Sequence, residues 1–145
     1  MSATNNPVPA TAVSLGVAGL MPFVILALVP PLFPAYAELA QRALALYSLG
    51  ILCFLCGTWW GIGVMRRAPA PLLLGNALTL AAIFSFLLLD TRQFFVVACA
   101  LFPLQVWLEG KQPAFSAQPG YYRRLRLWLS GVAAIALGLA SLTAA

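Results

Sequence analysis

The residues of this chain that could carry chemistry are three cysteines and three carboxylates, because the sequence contains no histidine. Cys53 and Cys56 form a CxxC pair, a spacing that in soluble proteins is typical of redox motifs or metal sites. A reactive thiolate needs a helix N-terminus or a nearby cation, and neither lies near this pair. A metal would need further ligands, of which Cys99 could supply one. The sequence therefore predicts no metal site and no cofactor.

The three carboxylates stand near the ends of apolar runs. Glu38, Asp90 and Glu109 are these residues, and none falls at the centre of a run. General acid–base catalysis needs a group that titrates near neutrality within reach of the substrate. Proton relays and ion-coupled pumps need an ionisable group deep in the membrane. We therefore expect neither enzymatic activity nor ion-coupled pumping.

The composition of the chain is that of a membrane protein. Hydrophobic residues make up 63% and charged residues 8% of its 145 residues, whereas soluble proteins average roughly 45–50% and 25%. Backbone groups in hydrocarbon must be satisfied within the chain, and strand-like alternation is absent, so the apolar segments are predicted to be helices. We predict an all-α integral membrane bundle in a single domain over residues 1–145.

Five apolar segments are long enough to cross a bilayer, which takes roughly 20 mostly apolar residues. The predicted spans are residues 12–29, 43–65, 71–89, 92–108 and 125–143. Pro30 and Pro31 are expected to end the first span, and Pro22 and Pro103 are expected to kink the first and fourth. Residues 109–124 are predicted to form the one long loop, on the cytoplasmic side.

The distribution of basic residues predicts the orientation. Five spans place the N-terminus and the connections at 66–69 and 109–124 on one side, which carries most of the Lys and Arg residues. Only Arg42 and Arg92 fall on the other side. By the positive-inside rule, we expect a bacterial inner membrane protein with a cytoplasmic N-terminus and a periplasmic C-terminus. No basic residue precedes Arg42, which argues against a transit peptide and against signal cleavage at the small-x-small pattern of 35–37.

Aromatic and basic residues cluster where the last span begins. We expect them to contact membrane lipid headgroups, together with two arginines that follow the second span. The predicted headgroup contacts are Tyr121, Tyr122, Arg123, Arg124, Arg126, Arg66 and Arg67. A specific lipid or protein docking site is the alternative for the same cluster. The net charge of +5 is scattered between apolar runs rather than gathered on one face, so no nucleic-acid partner is predicted.

Small residues in the second span form a helix-packing motif. Gly57 and Gly61 form GxxxG, one turn after Cys53, and such spacing lets another helix approach closely. The motif predicts packing inside the bundle or, alternatively, a homo-oligomer or a contact with a partner membrane protein. Ala134 and Gly138 form a weaker version in the last span and are a candidate for the internal mate.

Trp59, Trp60, Asn76 and Gln105 are the candidate ligand contacts. Adjacent helix positions diverge by about 100°, so one indole can face lipid while the other faces the bundle. All four tryptophans lie toward the cytoplasmic ends of their spans, as in an aromatic belt. Alternatively, Trp59 and Trp60 form a wall for a flat apolar ligand. Asn76 and Gln105 either bond helices together or line a polar path, and they could meet.

Three segments carry a resemblance to a known family. The stretch over 49–57 with Trp60 and Gly61 resembles the second-span signature of the transmembrane protein 69 family, also called domain of unknown function 3429. Residues 122–127 resemble the entry to its last span, and 15–23 resemble its first span. The resemblance implies a small multi-pass protein of bacterial inner membranes with mitochondrial relatives. It implies no activity.

Two functions remain open after the sequence is read. The first is a non-catalytic accessory, assembly or interaction subunit of a membrane complex, because the chain offers a glycine motif and a basic aromatic cluster but few groups for chemistry. The second is the binding or transport of a small apolar molecule, such as a lipid or a quinone, within the membrane.

Overall fold

The chain folds into five long helices. The structure, a computed structural model, describes residues 8–144, and every regular element within them is helical. The helices are α1 (Val8–Leu32), α2 (Ala37–Arg66), α3 (Pro69–Leu88), α4 (Thr91–Lys111) and α5 (Gly120–Thr143). Short 3-10 helices at Pro34–Tyr36 and Pro113–Phe115 lie in the α1–α2 and α4–α5 connections. All five helices are long and apolar enough to cross a membrane, which confirms the predicted all-α membrane bundle.

Local sequence signals define where several helices begin and end. Pro69 occupies the first position of α3, where a missing backbone N–H leaves no helical bond unmade. The Asp90 carboxylate caps α4 by accepting a 2.8 Å hydrogen bond from the N–H of Gln93. α2 is closed by Arg67, whose φ of 51° is left-handed, and its N–H and the next one bond back to carbonyls of the last turn.

The helices form a ring in chain order that closes where α5 packs against α1, and α2 also contacts α4 across the middle. The end of the bundle where α1, α3 and α5 begin is called the basic end here. Its basic residues are Arg66, Arg67, Lys111, Arg123, Arg124 and Arg126. The other end is called the opposite end. Its charged residues are Glu38, Arg42, Asp90 and Arg92, so its charges balance.

Pro30 and Pro31 do not end the helix that contains the first predicted span. α1 continues through Pro30 and Pro31 to Leu32. The N–H of Phe33 still reaches the carbonyl of Val29 at 2.7 Å, so the last turn closes despite two residues without an N–H donor.

The predicted loop over 109–124 is also too long. α4 extends to Lys111 and α5 begins at Gly120, so only residues 112–119 connect them. Helices need not stop where the hydrocarbon stops, and polar residues can continue them into the headgroup region. Glu109 and the basic residues of 121–126 therefore lie on helices rather than on a loop.

The interior of the bundle combines aromatic rings with small residues. Phe23 packs edge to face against Tyr47 and Phe102, with ring centroids 5.2 and 5.5 Å away. Large apolar side chains point outward on every helix, for example Phe54 of α2 and Leu73 of α3. Because lipid is as apolar as these side chains, close packing rather than hydrophobic burial holds such helices together.

Candidate functional site: a buried ion pair between two cavities

Two oppositely charged side chains pair inside the basic end. Glu109 of α4 and Arg126 of α5 are only 7% and 4% exposed. The Arg126 guanidinium donates twice, from Nη2 to Oε1 of Glu109 and from Nε to Oε2 at 3.3 Å. The two-point geometry is the one in which arginine binds a carboxylate most specifically. The pair joins the last turn of α4 to the second turn of α5.

A third helix completes the coordination of the carboxylate. The indole Nε1 of Trp59, on α2, donates a 2.6 Å hydrogen bond to Oε1 of Glu109. Trp59 is fully buried, and Phe115 of the α4–α5 connection packs edge to face on it with ring centroids 5.3 Å apart. Glu109 therefore ties α2, α4 and α5 together at one point. Leaving such a buried charge without its partner is strongly destabilising.

The structure corrects the expected surface position of Arg126, whereas the headgroup contact predicted for it stays a prediction. Its side chain lies inside the bundle, because Glu109 offers a charged acceptor there. The other predicted headgroup arginines, Arg66, Arg67, Arg123 and Arg124, are exposed at the basic end, and Tyr121 and Tyr122 are half-buried. Headgroup contact by these residues stays a prediction.

Sequence reasoning missed the ion pair although a signal was present. Arg126 lies between Leu125 and Leu127 and is followed by an apolar span, and Glu109 directly follows another one. An ionisable residue within such an apolar stretch is by default a candidate for a buried partner. The separation of 17 residues gives no hint of the pairing, because it depends on where α4 ends and α5 begins.

Gln105 extends the polar cluster one turn deeper into the bundle. It is 1% exposed, and its Nε2 donates to the Sγ of Cys56 at 3.4 Å. Its Oε1 is buried and has no hydrogen-bond partner among the described residues. Cys53, Cys56 and Cys99 are free thiols.

Asn76 and Gln105 do not meet, contrary to the sequence-based expectation. Asn76 accepts a 3.0 Å hydrogen bond from the indole Nε1 of Trp60 on the exposed face of α2. Gln105 instead bonds Cys56 on the buried face of the same helix. The two adjacent indoles diverge as expected, with Trp59 inside the bundle and Trp60 at its surface. Trp59 is therefore not part of a surface belt.

An apolar cavity of about 330 Å³ lies between α1, α2 and α5 in the half of the bundle nearer the basic end. On α1, Gly16 and Gly19 line it without side chains. Its lining is largely apolar, with Thr58, Ser130 and Arg126 among its few polar residues. The predicted ligand contacts Trp59, Trp60, Asn76 and Gln105 are not among its walls.

A second cavity of about 330 Å³, the polar cavity, opens at the surface of the basic end. It lies between the last turn of α4, the α4–α5 connection and the first turns of α5. Its charged walls are Glu109, Lys111, Arg123 and Arg126. Arg126 also lines the apolar cavity, so its side chain is the common wall of a polar and an apolar space.

The GxxxG motif of α2 faces outward. A Cβ atom built at Gly57 or Gly61 would meet nothing within 4 Å, and both residues are exposed. Cys53, one turn earlier, is half-buried. The motif is therefore not used for packing among the described residues of this chain.

Ala134 and Gly138 are not the internal mate of that motif. A Cβ at Gly138 would lie 3.7 Å from the Sγ of Cys99 on α4, so this part of α5 faces α4. α2 closely approaches α3 at Gly75, where a Cβ would come within 3.2 Å of the Cys56 carbonyl oxygen, and also at its own Gly63, where a Cβ would lie 3.0 Å from Leu72. Sequence reasoning did not single out Gly75.

The fold and this buried polar cluster define a small multi-pass α-helical membrane protein. The chain belongs to the family described as protein of unknown function (DUF3429), which it matches over residues 8–142. It is similar to transmembrane protein 69 of Xenopus tropicalis, with 31% identity over 134 residues that cover 89% of this chain and 53% of the relative. The chain thus spans about half the length of that relative. No solved structure matches it. The family resemblance read from the sequence is confirmed.

Proposed function

We propose that the protein binds the apolar part of a lipid-like molecule within the membrane and catalyses no reaction. The observation that supports this best is the apolar cavity of about 330 Å³ between α1, α2 and α5. Small-molecule sites are typically clefts of about 300–1,000 Å³ with apolar walls and a few placed polar groups. The cavity meets this description.

The walls of the cavity suit a flexible chain better than a flat polar ligand. Gly19 leaves room in the α1 wall, where a Cβ would meet only the Tyr47 hydroxyl at 3.8 Å, whereas Gly16 packs directly against Leu129 of α5. Leu125 and Leu129 line the facing wall with adaptable side chains. Hydrogen-bonding groups are few, and the charged one, Arg126, lies with Tyr122 toward the basic end of the cavity. A molecule with one apolar and one polar end would match this gradient.

The membrane address and orientation form part of the proposal. We place the protein in a bacterial inner membrane with the basic end in the cytoplasm, because Lys and Arg concentrate at that end. Tags on the two termini, probed in intact spheroplasts, test this. An N-terminal tag shielded in the cytoplasm and a C-terminal tag reached from the periplasm are expected, and two termini in one compartment would contradict the proposal.

The binding proposal is tested by filling the cavity. Gly19→Leu adds an isobutyl group to a wall of the apolar cavity. Gly50→Leu is the matched control, because a Cβ there would meet nothing within 4 Å and Gly50 does not line the apolar cavity. Native mass spectrometry of the purified proteins should show retained lipid or quinone in the parent and Gly50→Leu but much less in Gly19→Leu. Equal retention in both variants would count against the cavity as the site.

A second candidate function is protein interaction, as an accessory or assembly subunit of a membrane complex or as a homo-oligomer. The observation that favours it is the exposed groove at Gly57 and Gly61, which no described residue of this chain fills. Purification in mild detergent, followed by sizing, tests it with Gly57→Leu. Gly131→Leu on α5 is the matched control, because a Cβ there also meets nothing within 4 Å. A partner or second copy lost in Gly57→Leu alone is expected, and a partner-free monomeric parent would contradict it.

A further inference from the structure

We infer that the polar cavity binds the phosphate group of an anionic lipid whose acyl chain occupies the apolar cavity. This inference rests on the proposed function and names the class of ligand. The two cavities share Arg126 as a wall, so one amphipathic molecule could contact both.

The polar cavity has more positive than negative charge. Its charged walls are three cations, Lys111, Arg123 and Arg126, and one carboxylate, Glu109. Glu109 is already occupied by Arg126 and by the indole of Trp59. Within residues 8–144, neither Lys111 nor Arg123 forms an ion pair. The cavity therefore has two cations available for an anion.

Arg123 is exposed, but its guanidinium lies against α4 at the cavity. A Cβ at Gly110 would lie 3.3 Å from Nη2 of Arg123, so the guanidinium rests against the last turn of α4. Lys111 is anchored by its position over the ring of Trp107, with Nζ 5.5 Å from the centroid. Cations held in place lose less freedom when they bind phosphate than cations on mobile chains do.

Arg126 has donors left for a ligand. A guanidinium carries five N–H donors, and the bonds to Glu109 use Nε and Nη2 only. No bond from Nη1 is formed to any described residue. Planar arginine forks are suited to phosphate oxygens.

Gln112 adds an unpartnered acceptor to the same cavity. It lines the cavity, and its Nε2 donates to the carbonyl oxygen of Leu108 at 3.5 Å. Its Oε1 is buried and has no hydrogen-bond partner within residues 8–144. An unsatisfied buried acceptor is costly unless a donor reaches it. A headgroup that carries hydroxyl donors beside its phosphate, such as glycerol, would satisfy both the cations and this oxygen.

The position of the cavity fits a lipid better than a dissolved anion. It opens at the basic end, where the five spans leave the hydrocarbon, and the apolar cavity continues from Arg126 past Leu125 and Leu129 into the bundle. A phosphate bound by Arg126 would lie at the wall that the two cavities share, next to Leu125 of the apolar cavity. A free phosphate ion has no acyl chain and would therefore leave the apolar cavity unfilled.

The test compares two neighbouring arginines in the full chain. The parent, Arg123→Gln and Arg124→Gln are reconstituted in nanodiscs with equal phosphatidylglycerol and phosphatidylcholine, and the lipid retained after extraction is counted by native mass spectrometry. Arg124 is exposed and lines neither cavity, so its variant removes the same charge outside the site. We expect the parent to prefer phosphatidylglycerol and Arg123→Gln to lose about tenfold of that preference, the effect of one charge-assisted hydrogen bond. Arg124→Gln should change it less than about twofold, as a screened surface charge does.

Other results would overturn the inference in distinguishable ways. Equal loss in both variants would mean that unspecific surface charge attracts the headgroup. Lipid retained without headgroup preference would overturn the phosphate site and leave the apolar cavity standing. Retention of no lipid by the parent would overturn both the phosphate site and the proposed lipid binding. Inorganic phosphate that raises the melting temperature of lipid-free protein, with no phosphatidylglycerol preference, would identify a free anion as the ligand.

Discussion

The two ends of the bundle handle charge in opposite ways. At the opposite end, Glu38 and Arg42 form a 2.5 Å ion pair on one face of α2, with side chains that are 79% and 75% exposed. At the basic end, Glu109 and Arg126 pair inside the protein, with a tryptophan as third partner. An exposed ion pair adds little stability, because water already solvates both charges. In a buried pair, each charge lacks water and depends on its partner, so the pair links the helices that carry it. The buried ion pair therefore lies at the basic end, and so do the two cavities of the proposed site.

The largest expected effect is from breaking the buried pair. In Arg126→Met the Glu109 charge stays buried without its cation, which should lower the free energy of unfolding by about 3–5 kcal/mol. Arg42→Met removes the exposed partner at the opposite end and should cost less than about 1 kcal/mol. Denaturant or thermal unfolding in detergent measures both. A small effect of Arg126→Met would contradict the buried placement.

The double replacement sharpens this comparison. Glu109→Leu with Arg126→Met removes both charges together and should recover part of the stability lost in Arg126→Met, because no uncompensated charge remains. The lipid preference expected for the polar cavity should not recover with it. If the double variant is less stable than Arg126→Met, other buried charges must interact with the pair, which would contradict this prediction.

The next effect comes from the third partner of Glu109. Trp59→Phe keeps an aromatic ring against Phe115 but removes the indole N–H, which should cost about 1.5–3 kcal/mol, as for a hydrogen bond to a charged group. Trp60→Phe removes a bond to neutral Asn76 at the surface and should cost about 0.6 kcal/mol. Equal losses in the two variants would show that the adjacent indoles have similar surroundings.

Two glycines of opposite placement should respond in opposite directions. Gly75→Ala puts a methyl group within 3.2 Å of a backbone oxygen of α2, and the strain should cost about 1–3 kcal/mol. Gly57→Ala meets nothing and should be neutral or stabilise by up to about 1 kcal/mol through helix propensity. Destabilisation by Gly57→Ala under conditions where the parent self-associates would instead support the interaction surface on α2.

The smallest effect is expected at the cap of α2. Arg67 has a left-handed φ of 51°, which a side chain tolerates less well than glycine does. Arg67→Gly should therefore be more stable than Arg67→Ala by about 1 kcal/mol, and both variants lose the same charge. Melting temperatures of the two variants decide it, and a more stable alanine variant would contradict the cap geometry.

The number and type of the helices followed from composition because lipid permits few alternatives. Five apolar runs of sufficient length, with no strand alternation, were enough to predict the bundle. The site did not follow, since it depends on which residues face each other. Asn76 and Gln105 share a depth but bind opposite faces of α2, and Trp59 and Trp60 are neighbours with different surroundings. Glu109 and Arg126 each lie near the end of a predicted span, so the sequence predicts surface positions for both. Near a span end, depth in the membrane does not determine whether a side chain is buried in the bundle.

The central claim is that a lipid chain occupies the cavity between α1, α2 and α5 beneath Arg126. Photocrosslinking locates such a chain directly. The protein is reconstituted with phosphatidylglycerol that carries a photoactivatable group in its acyl chain, and the labelled residues are mapped by peptide mass spectrometry. Labelling should concentrate on cavity walls such as Gly16, Gly19 and Leu129, above the level at outward-facing Leu73 and Met65. Labelling that simply follows exposure over all five helices would contradict the account.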